Sequence, residues 1–179
     1  MEALENIRAR RSIRKYTEEK VTPEDIRKIV ETAAFAPSWM NVQTAGYIAV
    51  LDETLKNDIS EHMIAPNDVV NVKQAPAIVI LTSKNSLSGF MPDRSEYVPG
   101  MSSHWQSFEA GIAAQTFCLA ANACGLGTLI MGVWDEAEVS RLAGVQDDCR
   151  IAAILAIGHP AEIPTTPKRK SVNELLTIR

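Results

Sequence analysis

The chain has 179 residues, 46% of them hydrophobic and 22% charged, and carries a formal net charge of −4. That length and apolar content suit a single domain over residues 1–179 with one sizeable core, and the acidic balance argues against a general nucleic-acid binder. No uninterrupted apolar run is long enough for a membrane span, the mostly charged stretch from Met1 to Tyr16 lacks a signal-peptide core, and three cysteines without a CxxC pair read as reduced thiols in the cytoplasm.

Residues 2–11 read as a helix ending in a basic run, Arg10-Arg11-Ser12-Ile13-Arg14. This run is either a solvated helix end or an anion site, because guanidiniums bind phosphate bidentately and keep their charge near neutral pH. Thr22-Pro23-Glu24-Asp25 has the form of a helix start: a threonine cap, proline at the first helical position and acids in the first turn. Ile26, Ile29, Val30, Ala33 and Ala34 then mark one apolar face. Pro37 ends that helix and leaves Ser38 and Asn41 in the loop beyond it. A strand is expected over residues 47–51, a helix over 53–63 and a buried strand over 77–82.

Residues 83–103 differ in character, with Gly89, Pro92, Pro99, Gly100 and several serines mixed among Phe90, Met91, Tyr97 and Met101. A loop of about twenty residues is unusual in a compact domain. It is either a substrate-covering lid or a surface excursion. Residues 108–124 follow as a long helix whose Ala110, Gly111, Ala113, Ala114, Ala120, Ala121 and Ala123 make it small-sided and apolar nearly all round, hence buried. A strand over 128–133, a short helix over 135–143, a buried strand over 151–157 and a last turn over 171–176 complete an α+β pattern without repeats.

The chain lacks a self-sufficient catalytic set. His62, His104 and His159 have no metal-ligand spacing such as HExxH, so no metal site is expected. His62 reads as a surface helix residue and His159 as a loop residue at a strand end; His104 alone lies beside the candidate lid. Cys118 and Cys124 fall in the apolar helix and read as core fillers. There is no GxSxG elbow. Gly125-Leu126-Gly127 follows a helix and lacks the third glycine of a dinucleotide loop. Chemistry carried by a bound cofactor fits this lack of protein nucleophiles.

Several segments, in this order, resemble the nitroreductase family of FMN-dependent oxidoreductases. They are Arg10-Arg11-Ser12-Ile13-Arg14; Pro37-Ser38 with Asn41 and Gln43; Phe108-Glu109-Ala110-Gly111 leading to Gly125-Leu126-Gly127-Thr128; Ile157-Gly158-His159-Pro160-Ala161-Glu162; and Lys168-Arg169-Lys170. Two positions depart from the family pattern: Trp39 stands where a small residue is common, and Thr44 where proline is usual. The resemblance implies a mixed sheet flanked by helices, an intertwined homodimer with the long helix at its centre, and FMN reduced by NADH or NADPH. A monomer with that helix at its centre is the alternative assembly.

The resemblance also implies site residues. Arg10, Arg11 and Ser12 would serve the phosphate and ribityl ends, joined by Arg169 and Lys168, with Arg14 on the pyrimidine or ribityl side. Pro37, Ser38 and Asn41 would come from the other subunit, supported by Gln43. The backbone of Met131 or Gly132 would meet the flavin ring, since a missing side chain lets backbone approach a ligand. Phe90, Met91, Tyr97 and His104 are candidates for contact with the oxidant, a nitroaromatic, a quinone or a similar flat molecule, reduced in a ping-pong cycle. A different reaction on the same fold, dehalogenation or dehydrogenation, and a non-catalytic flavin-binding or sensor role are the alternatives.

Overall fold

The computed structural model describes residues 2–179. The elements are α1 (Ala3–Ala9), α2 (Pro23–Ala33), β1 (Ala45–Val50), α3 (Glu53–Ser60), α4 (Pro66–Gln74), β2 (Ala77–Lys84), α5 (His104–Ala123), β3 (Gly127–Met131), α6 (Glu136–Ala143), β4 (Cys149–Gly158) and α7 (Val172–Leu175). The four strands lie in the order β1-β2-β4-β3 and pair antiparallel throughout. Among the described residues the one parallel pairing is an isolated bridge between Ser12 and Thr128.

Helices cover both faces of this sheet, which is why β2 and β4 are apolar at nearly every position. Side chains alternate across a strand. Ala77, Val79 and Leu81 therefore join α2 and α5 in one core, with Phe117, Ala121 and Ile29. Ile78 and Ile80 face the other way, into a second core with Ile59, Met63, Val72 and Val139 from the α3, α4 and α6 side. The same alternation turns Leu129 and Met131 into the second core and leaves Ile130 on the α5 side, 48% exposed.

Helix boundaries follow local chemistry where the sequence carries a cap. Thr22 accepts from the Asp25 N–H while Asp25 accepts from the Thr22 N–H, a reciprocal capping box that fixes the start of α2. That helix stops at Ala33, short of Pro37, because residues 34–36 tighten into turns. The expected helix over 2–11 is shorter as well: Arg10 already has extended backbone, so the basic run lies beyond α1. The expected helix over 53–63 ends at Ser60, which leaves His62 just past it and half-buried.

Other elements differ as well. Helix α4 is not among the expected elements, although Pro66 at its first turn is a start signal. Helix α5 begins at His104, four residues before the expected 108, so His104 and Trp105 belong to the helix and the excursion shortens to residues 85–103. Strand β4 is longer than expected at both ends and β3 stops at Met131. Helix α5 is not buried all round: Phe108 is 57% exposed and Gly111 and Gln115 face outward. Cys118 is buried in the core as expected, but Cys124 is exposed, because it caps the helix end where Gly125 turns the chain with φ +82°.

Candidate functional site

Residues 10–14 run extended along the free edge of β3. The Ile13 N–H donates to the Thr128 carbonyl at 3.0 Å, beside the Ser12–Thr128 bridge. Gly127 permits this approach, since a Cβ there would stand 2.4 Å from Ile13 Cγ1. The Gly125-Leu126-Gly127 turn is thus a helix stop followed by a close packing contact.

The C-terminal tail comes back along the same stretch. The Ala161 N–H donates to the Lys15 carbonyl at 3.0 Å, Lys15 Nζ pairs with Glu162 at 3.1 Å, and Tyr16 bridges Pro160. The Arg11 guanidinium donates to the Thr166 hydroxyl and to the carbonyls of Arg8 and Arg10, at 2.5 and 2.8 Å. Lys168 and Arg169 follow Thr166 by two and three residues, which at full extension is no more than about 10 Å of chain. Two basic clusters far apart in sequence thus become neighbours. Arg14, Lys168 and Arg169 are exposed, and Arg169 donates to the Pro167 carbonyl at 3.2 Å.

The second group, residues 37–44, is a tight turn over the start of α5. Ser38 Oγ accepts from the Gln43 N–H at 2.9 Å, the Asn41 N–H donates to the Ser38 carbonyl at 3.1 Å, and the Gln43 amide reaches the Asn41 carbonyl at 3.4 Å. Pro37, Ser38, Gln43, Thr44, Tyr47 and Glu109 line a cavity of about 160 Å³. No arginine lines it. Near the start of α5 the Trp39 N–H bonds the Glu109 carboxylate, while near its end Asn6 Nδ2 donates to the Leu119 carbonyl. Those anchor points are ten residues apart, about 15 Å along the helix axis. Within one chain, then, the structure joins Arg10, Arg11 and Ser12 to the Lys168-Arg169 tail but does not bring Pro37, Ser38, Asn41 or Gln43 to them.

A third feature lies on another side of α5. Ser107, Ala110, Gly111, Ala114, Ile130 and Arg150 line a cavity of about 350 Å³. A Cβ at Gly111 or Gly132 would meet no heavy atom within 4 Å, so both positions open to a neighbouring group. The Met131 side chain is buried in the opposite core, which leaves only its backbone on this edge. Arg150 donates to Ser107 Oγ at 2.9 Å, and its Nε is buried without a partner.

The excursion of residues 85–103 is partly self-structured. Phe90 and Tyr97 pair as an isolated bridge with ring centroids 4.1 Å apart, and the Val98 N–H donates to the Gly89 carbonyl at 2.9 Å. Phe90 and Met91 also line a cavity with Trp39, Met40 and Val42. His104 and Tyr97 do not line it; His104 contacts the Ser102 hydroxyl and packs edge-on to Trp105. The buried Cys118 thiol is pushed up by desolvation, away from thiolate character. None of the described helices is long and apolar enough to cross a membrane.

A family model described as the nitroreductase family matches residues 7–159. The chain belongs to the nitroreductase family. A Methanothermobacter thermautotrophicus protein, provisionally named NADH dehydrogenase/NAD(P)H nitroreductase, is 33% identical over 170 residues, 93% of this chain and 81% of that protein. An FMN reductase [NAD(P)H] of Bacillus subtilis is 31% identical over 169 residues, 90% of this chain and 67% of its own length. A Desulfovibrio desulfuricans protein whose structure was solved in complex with FMN superimposes with a TM-score of 0.76 at 27% identity, covering 98% of this chain and 95% of that one.

The nitroreductase match ends at His159, so it does not reach the Lys168-Arg169-Lys170 tail. Of the two departures from the family pattern, Trp39 packs edge-on to Trp105 at 5.8 Å, and Thr44 Oγ1 donates to Glu109 Oε2 at 3.1 Å. The sequence reading gave no site role to Glu109, Arg150 or Ser107. Glu109 did carry a signal: it is the only acidic or basic residue, histidine aside, between His104 and Ala123. Arg150 and Ser107 carried none, being brought together from β4 and α5.

Proposed function

We propose that this chain is an FMN-dependent oxidoreductase that passes electrons from NADH or NADPH to flat oxidants such as nitroaromatics or quinones in a ping-pong cycle, working as a homodimer with two sites between the subunits. The observation that carries this reading is the juxtaposition of the two basic clusters, Arg10-Arg11-Ser12 and the tail after Thr166, beside a strand edge with open backbone at Gly132. The names of the relatives point the same way: one is an FMN reductase, and another was solved with FMN bound.

The residues present fit that cofactor. Arg10, Ser12 and Arg169, with Lys168, supply cations and a hydroxyl donor for a phosphate, since charge-assisted bonds of this kind are the strong ones. Arg11 holds the tail by its bond to Thr166 and keeps the cations together. Ala110, Gly111, Ala114 and Ile130 offer an apolar bed of small side chains, and Gly132 leaves backbone exposed at its edge. FMN, when bound, supplies the hydride and electron chemistry that no side chain of this chain provides.

The second subunit supplies what one chain separates. The turn that carries Ser38 and Asn41 is anchored on α5 at Glu109, about 15 Å along the axis from the Leu119 anchor of α1, and a two-fold partner would present its own copy of the turn across the interface, as an isologous contact requires. Exposed apolar residues support such a partner. Helix α1 buries no side chain although Leu4 and Ile7 lie on it, and α7 with the following residues exposes Val172, Leu175, Leu176 and Ile178. Helices of seven and four residues are marginal in isolation, and α1 is tied to its own chain through Asn6.

The test is the visible spectrum of the purified protein, followed by anaerobic mixing with NADH and with NADPH. Flavin absorbance that bleaches rapidly, and recovers when a quinone or nitroaromatic is added, is the expected result. A protein that takes up no FMN overturns the reading. Bound flavin that is not bleached by either nucleotide points instead to a binding or sensor role, and bleaching without recovery on those oxidants points to a different reaction.

A further inference from the structure

The turn of residues 38–44 holds three non-glycine residues in the left-handed backbone region within four positions: Met40 at φ 46°, Asn41 at φ 57° and Gln43 at φ 49°. Asparagine tolerates that conformation, but Met and Gln crowd their Cβ against the following carbonyl. Such residues persist only where the surroundings over-determine them, and they cluster at functional sites. The internal bonds of the turn, Asn41 to Ser38, Val42 to Trp39 and the Gln43 N–H to Ser38 Oγ, close it on itself but do not orient it.

Orientation comes from outside. Glu109, 4% exposed, accepts from the Trp39 N–H through Oε1 and from the Thr44 hydroxyl through Oε2 at 3.1 Å. One carboxylate thus grips both ends of the strained segment and ties it to the rigid α5. Among the described residues no Lys, Arg or His ion-pairs with Glu109, so both partners are neutral donors. A buried carboxylate is costly when held only by neutral donors. A pure packing role at this helix position would be met by an apolar residue, as at Ala113 one turn later in the same helix.

We infer that Glu109 is a positioning residue whose carboxylate latches the turn in the form that presents Ser38 and Asn41 to the cofactor, with Thr44 as the second half of the latch. This rests on the FMN reading above for its ligand but not for the latch itself. The turn-closing bond occupies Ser38 Oγ as an acceptor only; its hydroxyl proton stays free to donate to a ligand oxygen. A turn released from Glu109 relaxes its left-handed residues and withdraws that donor. The consequence is a coupling: Glu109 should matter to FMN only through the turn.

The experiment compares wild type with Glu109→Gln, Glu109→Leu, Thr44→Val, Ser38→Ala and the double variant Ser38→Ala/Glu109→Gln. Hydrogen exchange of the peptide covering residues 38–44 in flavin-free protein reads the latch directly. FMN dissociation constants by equilibrium dialysis read its use. Exchange should quicken at least tenfold in Glu109→Leu and by less in Glu109→Gln, which keeps a carbonyl acceptor for Trp39. FMN should bind about tenfold more weakly in Glu109→Gln, and the double variant should be no weaker than the weaker single variant. Where Glu109→Leu fails to fold, Glu109→Gln and Thr44→Val carry the comparison. Unchanged exchange in both overturns the latch. Faster exchange with unchanged FMN affinity, or strictly additive losses in the double variant, overturns the positioning role. Wild-type protein that takes up no FMN under any condition overturns the cofactor reading and this role with it, while exchange still decides the latch.

Discussion

Arg10 and Arg11 are adjacent in sequence and differ in what they do. Arg11 spends its guanidinium on two backbone carbonyls and on Thr166, whereas the Arg10 guanidinium makes no hydrogen bond among the described residues. Arg10→Ala should therefore weaken FMN binding by roughly ten- to a hundredfold, the range expected for losing a charged hydrogen bond of about 1.5–3 kcal/mol, with little change in melting temperature. Arg11→Ala should add early proteolysis of the tail beyond Thr166. Equilibrium dialysis and a timed protease digest separate the two, and unchanged affinity in Arg10→Ala would remove the phosphate assignment.

Tyr47 makes a second residue-scale case. Its ring stacks on Phe117 at 5.4 Å and its hydroxyl is buried without a partner, and burial pushes its pKa from 10.0 up to about 12. A raised folded-state pKa means stability is whole below pH 10 and declines as pH climbs from there toward 12. Tyr47→Phe should flatten part of that alkaline loss; Tyr16 and Cys118, which burial also raises, contribute to the rest. Urea midpoints measured between pH 8 and pH 11 check this; an unaltered alkaline slope would show that Tyr47 ionises freely in the folded chain.

At the scale of elements, strands buried on both faces are legible in the sequence, because a short run rich in β-branched residues, such as Ile78-Val79-Ile80-Leu81, favours a buried strand over a helix. Helix ends were legible at Thr22, where a local capping box decides them, and illegible at His104. No side chain of Ser103 caps α5; its first turn is set by Trp105 packing against Trp39 and Phe108. The sequence pattern over residues 83–103 suits a lid or a surface excursion, and in the structure the apolar side chains of residues 85–103 make two kinds of contact. Tyr97 is a stacking partner for Phe90, whereas Phe90 and Met91 face the turn at Trp39 and Met40. Phe90→Ala should change KM for quinone and nitroaromatic oxidants by different factors, several-fold for at least one, while FMN affinity stays within about twofold. Tyr97→Phe keeps the stack and should change neither. Steady-state kinetics with both oxidants decide it, and kinetics indifferent to Phe90→Ala would make the hairpin a surface feature.

At the scale of the whole molecule, the small residues of α5 do not all face a partner. Ala114 and Ala121 are packed within the chain's own core, so enlarging either would overpack the protomer. Gly111 is the position that discriminates. It is exposed on α5, and a Cβ there meets nothing in its own chain. Gly111→Arg should hold or raise protomer stability, because glycine is less favourable than other residues in a helix interior by up to about 1 kcal/mol. The same change should shift the protein toward monomer; because Gly111 also lines the apolar bed proposed for the flavin, loss of FMN reads that bed and the sedimentation shift alone reads the interface. Sedimentation alongside flavin content measures both. A variant that stays dimeric with full flavin would place the interface elsewhere.

What the sequence determined by itself was the local chemistry: the alternating and continuous apolar patterns that specify a two-faced sheet, the capping box at Thr22, and the residue types of the family motifs. These are legible because each depends on neighbours a few positions away. What only the tertiary structure decided is which motifs meet. Arg11 reaches Thr166 across 155 positions, and Glu109 grips Trp39 and Thr44 across 70 and 65. The fold also decided that α5 holds the two halves of the candidate site apart within one chain. Contacts of that span follow from how the sheet and helices stack, and no local pattern encodes them. The departure at Thr44 shows the same division: in the sequence it is only a missing proline, and in the folded chain its hydroxyl meets a buried carboxylate from the central helix.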